Sequence, residues 1–309
     1  MMSSRFPRVA LFLLAALWPS ILLAEVTLVL KQSFIEKYKN RATVEVDFIV
    51  DHSKGKPNSA AKDGDMHVAG RAPKDIGLAT VAEIMNAKGE PDAVAAANAA
   101  AGTNKPVRVH GAWRIWNEHG GDNTRFVQGQ AVPAANDSNP DHIFEIHPIS
   151  SIDGKSTVTS FRPIPGYTPK KAEDAFNRYE NVRSRITVGK GTVTIVSPGV
   201  GYNYVNFQME LDEKPVLVAD GALAFAKVQD FDGDLILRKR RMVFVKDTPP
   251  YDAVKDKVAG DCLRVLGIPR MDLALVSWRA QNAKTRPDVL SWNLPYEMIV
   301  VGVYNEPCQ

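Results

Sequence analysis

Two short segments of the chain pair a carboxylate with an imidazole at alternating positions. Asp65 and His67 flank Met66, and Glu145 and His147 flank Ile146. Residues two apart in a β-strand point to the same face. Each segment, if extended, therefore presents an acid and an imidazole side by side, with Met66 and Val68 or Phe144 and Ile146 turned to the core. If the two strands are neighbours, Asp65, His67, Glu145 and His147 form a two-acid, two-histidine site. Such ligands suit a divalent metal of the zinc, manganese or iron type. A metal held there could activate water for hydrolysis. All six histidines (His52, His67, His110, His119, His142 and His147) fall in the first half of the chain, which makes that half the place to look for a polar site. The alternative is two separate solvated or hydrogen-bonded pairs. Asp63-Gly64-Asp65 is also good turn chemistry, and the spacing matches no established metal motif.

A third feature is Trp113-Arg114-Ile115-Trp116. Trp113 and Ile115 share one face of a strand, Arg114 and Trp116 the other. On a barrel surface, Trp113, Arg114 and Trp116 could bind a ligand by stacking bases or sugars. The alternative is one tryptophan in the core and the other lining a groove without a ligand. Cys262 and Cys308 are the two cysteines. They exclude a zinc site built on cysteines alone and a dense disulfide framework. They leave open a disulfide in an oxidising compartment or a free Cys262 packed as a small hydrophobe. No Gly-x-Ser-x-Gly elbow is present, and Gly199-Val200-Gly201 opens no predicted helix, so it is not a phosphate loop.

These residues need elements to hold them. Residues 33–40 read as a short helix. Residues 43–50 alternate Val44, Val46, Phe48 and Val50 against Glu45 and Asp47, the pattern of a half-buried strand. Further strands are expected at 65–70, 78–85, 107–116 and 143–152. A helix is expected at 91–101, with Pro91 in its first turn and Gly102 to stop it. Five strands with a helix between the third and fourth match the order of an OB-type barrel. Past a boundary near 152–154, a helix is expected from 169 to about 183, and strands at 185–196, 204–211, 215–228, 235–245, 273–278 and 296–304. A second helix is expected at about 251–266, because Val254, Val258, Cys262 and Leu266 recur every fourth residue. The expected fold class is α+β: an N-terminal OB-like five-stranded β-barrel (25–152) followed by an antiparallel α+β domain (153–309). No internal repeat is evident.

Residues 1–24 read as a signal peptide. Arg5 and Arg8 precede an apolar run of 16 residues, and the small Ala24 stands before the first acid, Glu25. That run is shorter than the roughly 20 residues of a spanning helix, and no later stretch suffices. Removing residues 1–24 leaves 36 basic against 35 acidic residues. Global charge therefore makes no case for nucleic acid or an anionic membrane.

Asp63-Gly64-Asp65-x-His67, then Ala82-Glu83-Ile84, a helix, Val107-x-Val109-x-Gly111 and Glu145-x-His147-Pro148 together resemble a group of uncharacterised secreted bacterial proteins. The resemblance covers residues 43–152. It implies an extracytoplasmic barrel-like module and brings no known activity. Taken together, the sequence points to a periplasmic or secreted binding or interaction protein whose ligand and partners it does not name. The alternative is a metal-dependent hydrolase with its acid/histidine site in the first domain. Whether the chain is an enzyme is left open, and so is its cofactor, for which a divalent metal is the one candidate.

Overall fold

The structure, a computed structural model, describes residues 25–283 and 290–309. The expected signal peptide, residues 1–24, lies outside them. The first half runs β1 (Glu25–Lys31), α1 (Gln32–Tyr38), β2 (Thr43–Ser53), β3 (Met66–Arg71), β4 (Ala79–Ile84), α2 (Pro91–Ala100), β5 (Pro106–Ile115), β6 (Arg125–Val127), β7 (Phe144–Ile152) and β8 (Lys155–Ser156). The second half runs β9 (Lys170–Lys171), α3 (Ala172–Asn181), β10 (Arg183–Val188), β11 (Thr192–Pro198), β12 (Val205–Leu211), β13 (Val216–Val218), β14 (Gly221–Gln229), β15 (Leu235–Val245), α4 (Pro249–Val254), β16 (Cys262–Met271), α5 (Leu273–Ala283), β17 (Leu290–Asn293) and β18 (Tyr296–Val303). The class is mixed α and β, mostly sheet. Among the described residues no helix is long and apolar enough to cross a membrane.

Five strands of the first half close into a barrel in the ring order β2-β3-β4-β7-β5 and back to β2. Every neighbouring pair is antiparallel except β4 and β7, which are parallel. The alternation in the sequence drives the closure. Val44, Val46, Phe48 and Val50 join Met66, Val68, Ile84, Val109 and Ile146 in one core, and closing the ring leaves no bare edge among its five strands. Helix α2 bridges β4 and β5. At Gly70 the chain needs glycine, since a Cβ there would stand 2.2 Å from the Ile49 carbonyl oxygen.

The second half closes a barrel of the same kind. Its ring is β12-β14-β15-β18-β16 and back to β12. Here too the one parallel pair joins the third strand to the fifth, β15 to β18, and a helix, α4, lies between the third and fourth. The expectation of no internal repeat is therefore corrected. The fourth strands carry the same spaced residues, Arg108-Val109-x-Gly111-x-x-Arg114 and Arg264-Val265-x-Gly267-x-x-Arg270. Val46 pairs with Val109 as Phe207 pairs with Val265, and Arg114 faces Glu145 as Arg270 faces Glu297. The repeat lies in topology and a handful of residues, so no run of sequence identity betrays it.

A third sheet, ordered β17-β10-β11-β1-β6, draws strands from both sides of residue 152. Two expected elements are corrected. The helix at 251–266 ends at Val254, and Cys262–Met271 is a barrel strand. The strand at 273–278 is instead the start of α5, whose first turn is capped by Asp272: its Oδ1 accepts the Leu275 amide at 2.9 Å. Cys262 and Cys308 form a disulfide with Cα atoms 6.1 Å apart.

Candidate metal centre and cleft

The expected pairs sit on neighbouring parts of one barrel face. β4 lies between β3 and β7, and His67 on β3 is registered opposite Glu83 on β4. The inward side chains of these strands fill the barrel, so Asp65, His67, Glu83, Glu145 and His147 occupy its outer face. That face is not solvated. The second barrel packs onto it, and Asp65, Glu83, Glu145 and His147 are buried while His67 is half-buried.

The contacts form one network. The Tyr204 hydroxyl, from the segment leading into β12, donates to Asp65 Oδ2 at 2.5 Å. His147 Nε2 donates to the Tyr204 oxygen at 2.8 Å and lies 3.3 Å from Asp65 Oδ2. On its other side His147 Nδ1 faces Glu145 Oε2 at 3.3 Å and Glu83 Oε2 at 3.6 Å. His67 Nε2 is 3.6 Å from the same Glu83 oxygen. Arg114, fully buried, donates to Glu145 Oε2 at 2.5 Å and to the Pro269 carbonyl at 2.8 Å. His142 Nδ1 donates to the Pro140 carbonyl at 2.7 Å, and its Nε2 lies 3.3 Å from Glu145 Oε1.

The four expected residues thus share one network, but the ligand set differs from the expected one. Candidate ligand atoms of Asp65, Glu83 and His147 lie within 4.8 Å of one another, as do those of Glu83, His142 and Glu145. In the second group Glu145 already has a cation, the Arg114 guanidinium. The first group is the freer one, and Asp65 Oδ1 in it is buried without a hydrogen-bond partner among the described residues. Glu83 is the residue that reading by paired motifs missed. Its signal was a lone acid in the apolar run Val81-Ala82-Glu83-Ile84-Met85.

Burial and neighbouring charge set the protonation. Burial pushes the Glu83 carboxyl up to about 8, opposed by His147 and reinforced by Glu145 and Asp65. Burial raises Asp65 as well, against the pull of His147. His147 goes the other way from most buried imidazoles. Burial alone would strip its proton, but Glu83, Asp65 and Glu145 outweigh that and hold it at about 10. Burial likewise opposes charge on Glu145, yet Arg114 and the two histidines keep it well below the ordinary carboxylate range. His67 is lowered, chiefly by burial. A metal ion would supply the positive charge that protons on His147 and Glu83 supply otherwise.

A cleft of about 290 Å³ opens beside the network, lined by His67, Glu83, His119, Tyr167, Lys170 and Tyr204 among others. It reaches Glu83 and Tyr204, so the network has an entrance. The tryptophan reading is corrected. Trp113, Arg114 and Trp116 do not form an open stacking surface, since all three are buried at the junction of the barrels. Trp113 Nε1 donates to the Arg41 carbonyl at 2.8 Å, with the Arg270 guanidinium 3.6 Å from its ring centre. Trp116 meets Tyr179 edge-on at 5.4 Å.

The second barrel lacks the cluster. By strand register, Gly221, Leu223, Val243 and Ile299 stand where Asp65, His67, Glu83 and His147 stand in the first. Leu223 and Val243 pack with Ala42 in a small apolar core. The Arg–Glu pair is kept, as Arg270 Nε donates to Glu297 Oε1 at 2.7 Å. The acid/histidine cluster is thus a property of one barrel and not of the shared architecture. Comparison with protein-family models and with curated proteins finds no match for this chain.

Proposed function

We propose that the chain is an exported binding protein whose first barrel is OB-like, holds a divalent cation at Asp65, Glu83 and His147, and presents it to a small polar ligand in the adjoining cleft. The observation that carries this reading is the convergence of the three buried ligand groups within 4.8 Å, together with the unpartnered buried Asp65 Oδ1. One imidazole and two carboxylates suit zinc, manganese or iron. The OB-like assignment is supported by the ring order, the parallel closure of third and fifth strands and the helix between third and fourth. Export is supported by the layout of residues 1–24 and by the Cys262–Cys308 disulfide, which suits an oxidising compartment.

Metal analysis and calorimetry on untagged protein test the reading. One zinc, manganese or iron ion per chain is expected in the wild type, with loss of binding in Glu83→Gln and in Asp65→Asn. Equal, substoichiometric metal in wild type and variants would sink it.

A metal-dependent hydrolase is the second reading, and one observation favours it. His67, lowered toward the neutral form, lines the cleft 3.6 Å from Glu83, a place from which it could take a proton from a metal-bound water. Metal-dependent cleavage of activated esters or phosphoesters, lost in His67→Ala while metal binding persists, is the expected outcome.

A further inference from the structure

We propose that Tyr204, brought from the second barrel, is the fourth ligand of the cation at Asp65, Glu83 and His147, which makes the site one for a hard, oxygen-preferring ion such as iron(III). This rests on the cation reading above, adds to it the identity of a ligand, and narrows its metals to iron, with the phenolate extending the site from the divalent to the ferric ion. The Tyr204 hydroxyl already stands between two of the other ligands, 2.5 Å from Asp65 Oδ2 and 2.8 Å from His147 Nε2. An ion bonded to that carboxylate and that imidazole meets the phenol oxygen without a change of fold. The side chain is fully buried, and its ring is held edge-on by His147 at 5.6 Å and by Tyr167 at 5.7 Å. Bonding exchanges the Tyr204 O–H proton, the His147 Nε2–H proton and the proton on Glu83 for the ion, and the protons leave through the cleft that Tyr204 and Glu83 both line. Three oxygen ligands to one nitrogen then surround the ion, a set that favours hard cations over soft ones.

The arrangement of the two barrels supports this placement. Tyr204 immediately precedes the first strand of the second barrel, and Thr43 begins the corresponding strand of the first. Thr43 reaches back in the same way, donating its hydroxyl to Asp220 Oδ2 of the other barrel at 2.9 Å. Each barrel thus lends a hydroxyl to the acid of its neighbour. In the Thr43 case Asp220 Oδ2 is already met by the Arg41 guanidinium at 3.1 Å, and Leu223 and Val243 stand where the first barrel has His67 and Glu83, so the ligand set of the Tyr204 side is not repeated there.

The test uses the full-length mature protein, stripped with a chelator and reloaded with ferric ion from a citrate complex. A visible phenolate-to-iron charge-transfer band is expected, with tyrosinate ring vibrations enhanced when Raman scattering is excited within it. The Tyr204→Phe variant should lose the band and bind ferric ion at least about tenfold more weakly, while Tyr167→Phe keeps the band. Iron bound at Asp65, Glu83 and His147 without colour, and equally tightly in Tyr204→Phe, would overturn the phenolate ligand and leave the cation site standing. Wild-type protein that takes up no ion of any kind would overturn both. The Raman signature is read on the wild type, so it decides even if Tyr204→Phe fails to fold.

Discussion

Arg114 and Arg270 each hydrogen-bond the carbonyl that precedes the other: Arg114 Nε donates to Pro269 at 2.8 Å, and Arg270 Nη1 donates to Trp113 at 3.0 Å. The two strands β5 and β16 therefore meet around an approximate two-fold axis. Each arginine also neutralises a buried glutamate in its own barrel, Glu145 or Glu297. The junction is clamped from both sides by the same side-chain chemistry.

Removing Arg114 strips the nearest cation from the buried Glu145, and breaking such a pair costs about 3–5 kcal/mol. Arg114→Ala should lower unfolding stability in urea by that amount, and Arg270→Ala by less, about 1–3 kcal/mol, because Arg241 stays 3.3 Å from Glu297. The double variant Arg114→Ala/Glu145→Ala should be less destabilised than Arg114→Ala alone, because no unpaired charge remains. A loss under about 1 kcal/mol in the single variants contradicts the clamp.

Stability should fall with rising pH in chelator-treated protein. Glu83 is raised from 4.5 to about 8 and His147 from 6.5 to about 10 on folding. A group raised on folding stabilises fully below its unfolded value, and that contribution is lost as pH climbs through the folded one. The two windows overlap between pH 6.5 and 8. The melting temperature should drop by about 5 °C or more from pH 6 to pH 10, and the slope should be shallower in Glu83→Gln. A melting temperature that rises over this range contradicts the assignment.

The disulfide closes a loop with a sequence separation of 46, for which loop entropy corresponds to about 3–4 kcal/mol. The Cys262→Ala/Cys308→Ala variant should unfold at correspondingly lower denaturant, and wild type under reductant should follow it. Thiol labelling of denatured, unreduced wild type should find no free cysteine; two labelled thiols per chain would refute the bridge.

Export predicts a processed chain beginning at Glu25. Intact mass of protein recovered from periplasm or medium should correspond to that start. Glu25 opens β1, and its carboxylate pairs with both terminal nitrogens of Arg185, at 2.7 and 2.5 Å. Full-length chain held in the membrane fraction contradicts the proposal.

The strands of the first barrel were legible because one face of each is core and the alternation shows it, as in Val44 to Val50. The error at 251–266 has a specific cause. Residues four apart share a face in a helix, but they also share a face in a strand, so Cys262 and Leu266 satisfy both periods. The polar cluster was half legible. Paired positions two apart point out Asp65 with His67 and Glu145 with His147, but nothing local ties either pair to Tyr204, which arrives from 139 residues away. The tryptophans misled because a surface of the first barrel looks like a ligand face until the second barrel is placed on it.

Strand β1 has a consequence for how the molecule is made. It runs antiparallel to β11, from Glu25 opposite Pro198 to Lys31 opposite Thr192. A ribosome or translocon delivers β1 long before β11. In the interval Val26-Thr27-Leu28-Val29-Leu30 is an apolar, strand-prone segment without its main partner, the kind of stretch that invites pairing between chains. The first barrel, whose five strands all lie before residue 153, can close in that time, whereas the third sheet cannot. Assembly is therefore expected to finish with β1 docking onto the β10–β11 hairpin, a late step of high contact order at which an idle nascent strand must have been kept from aggregating.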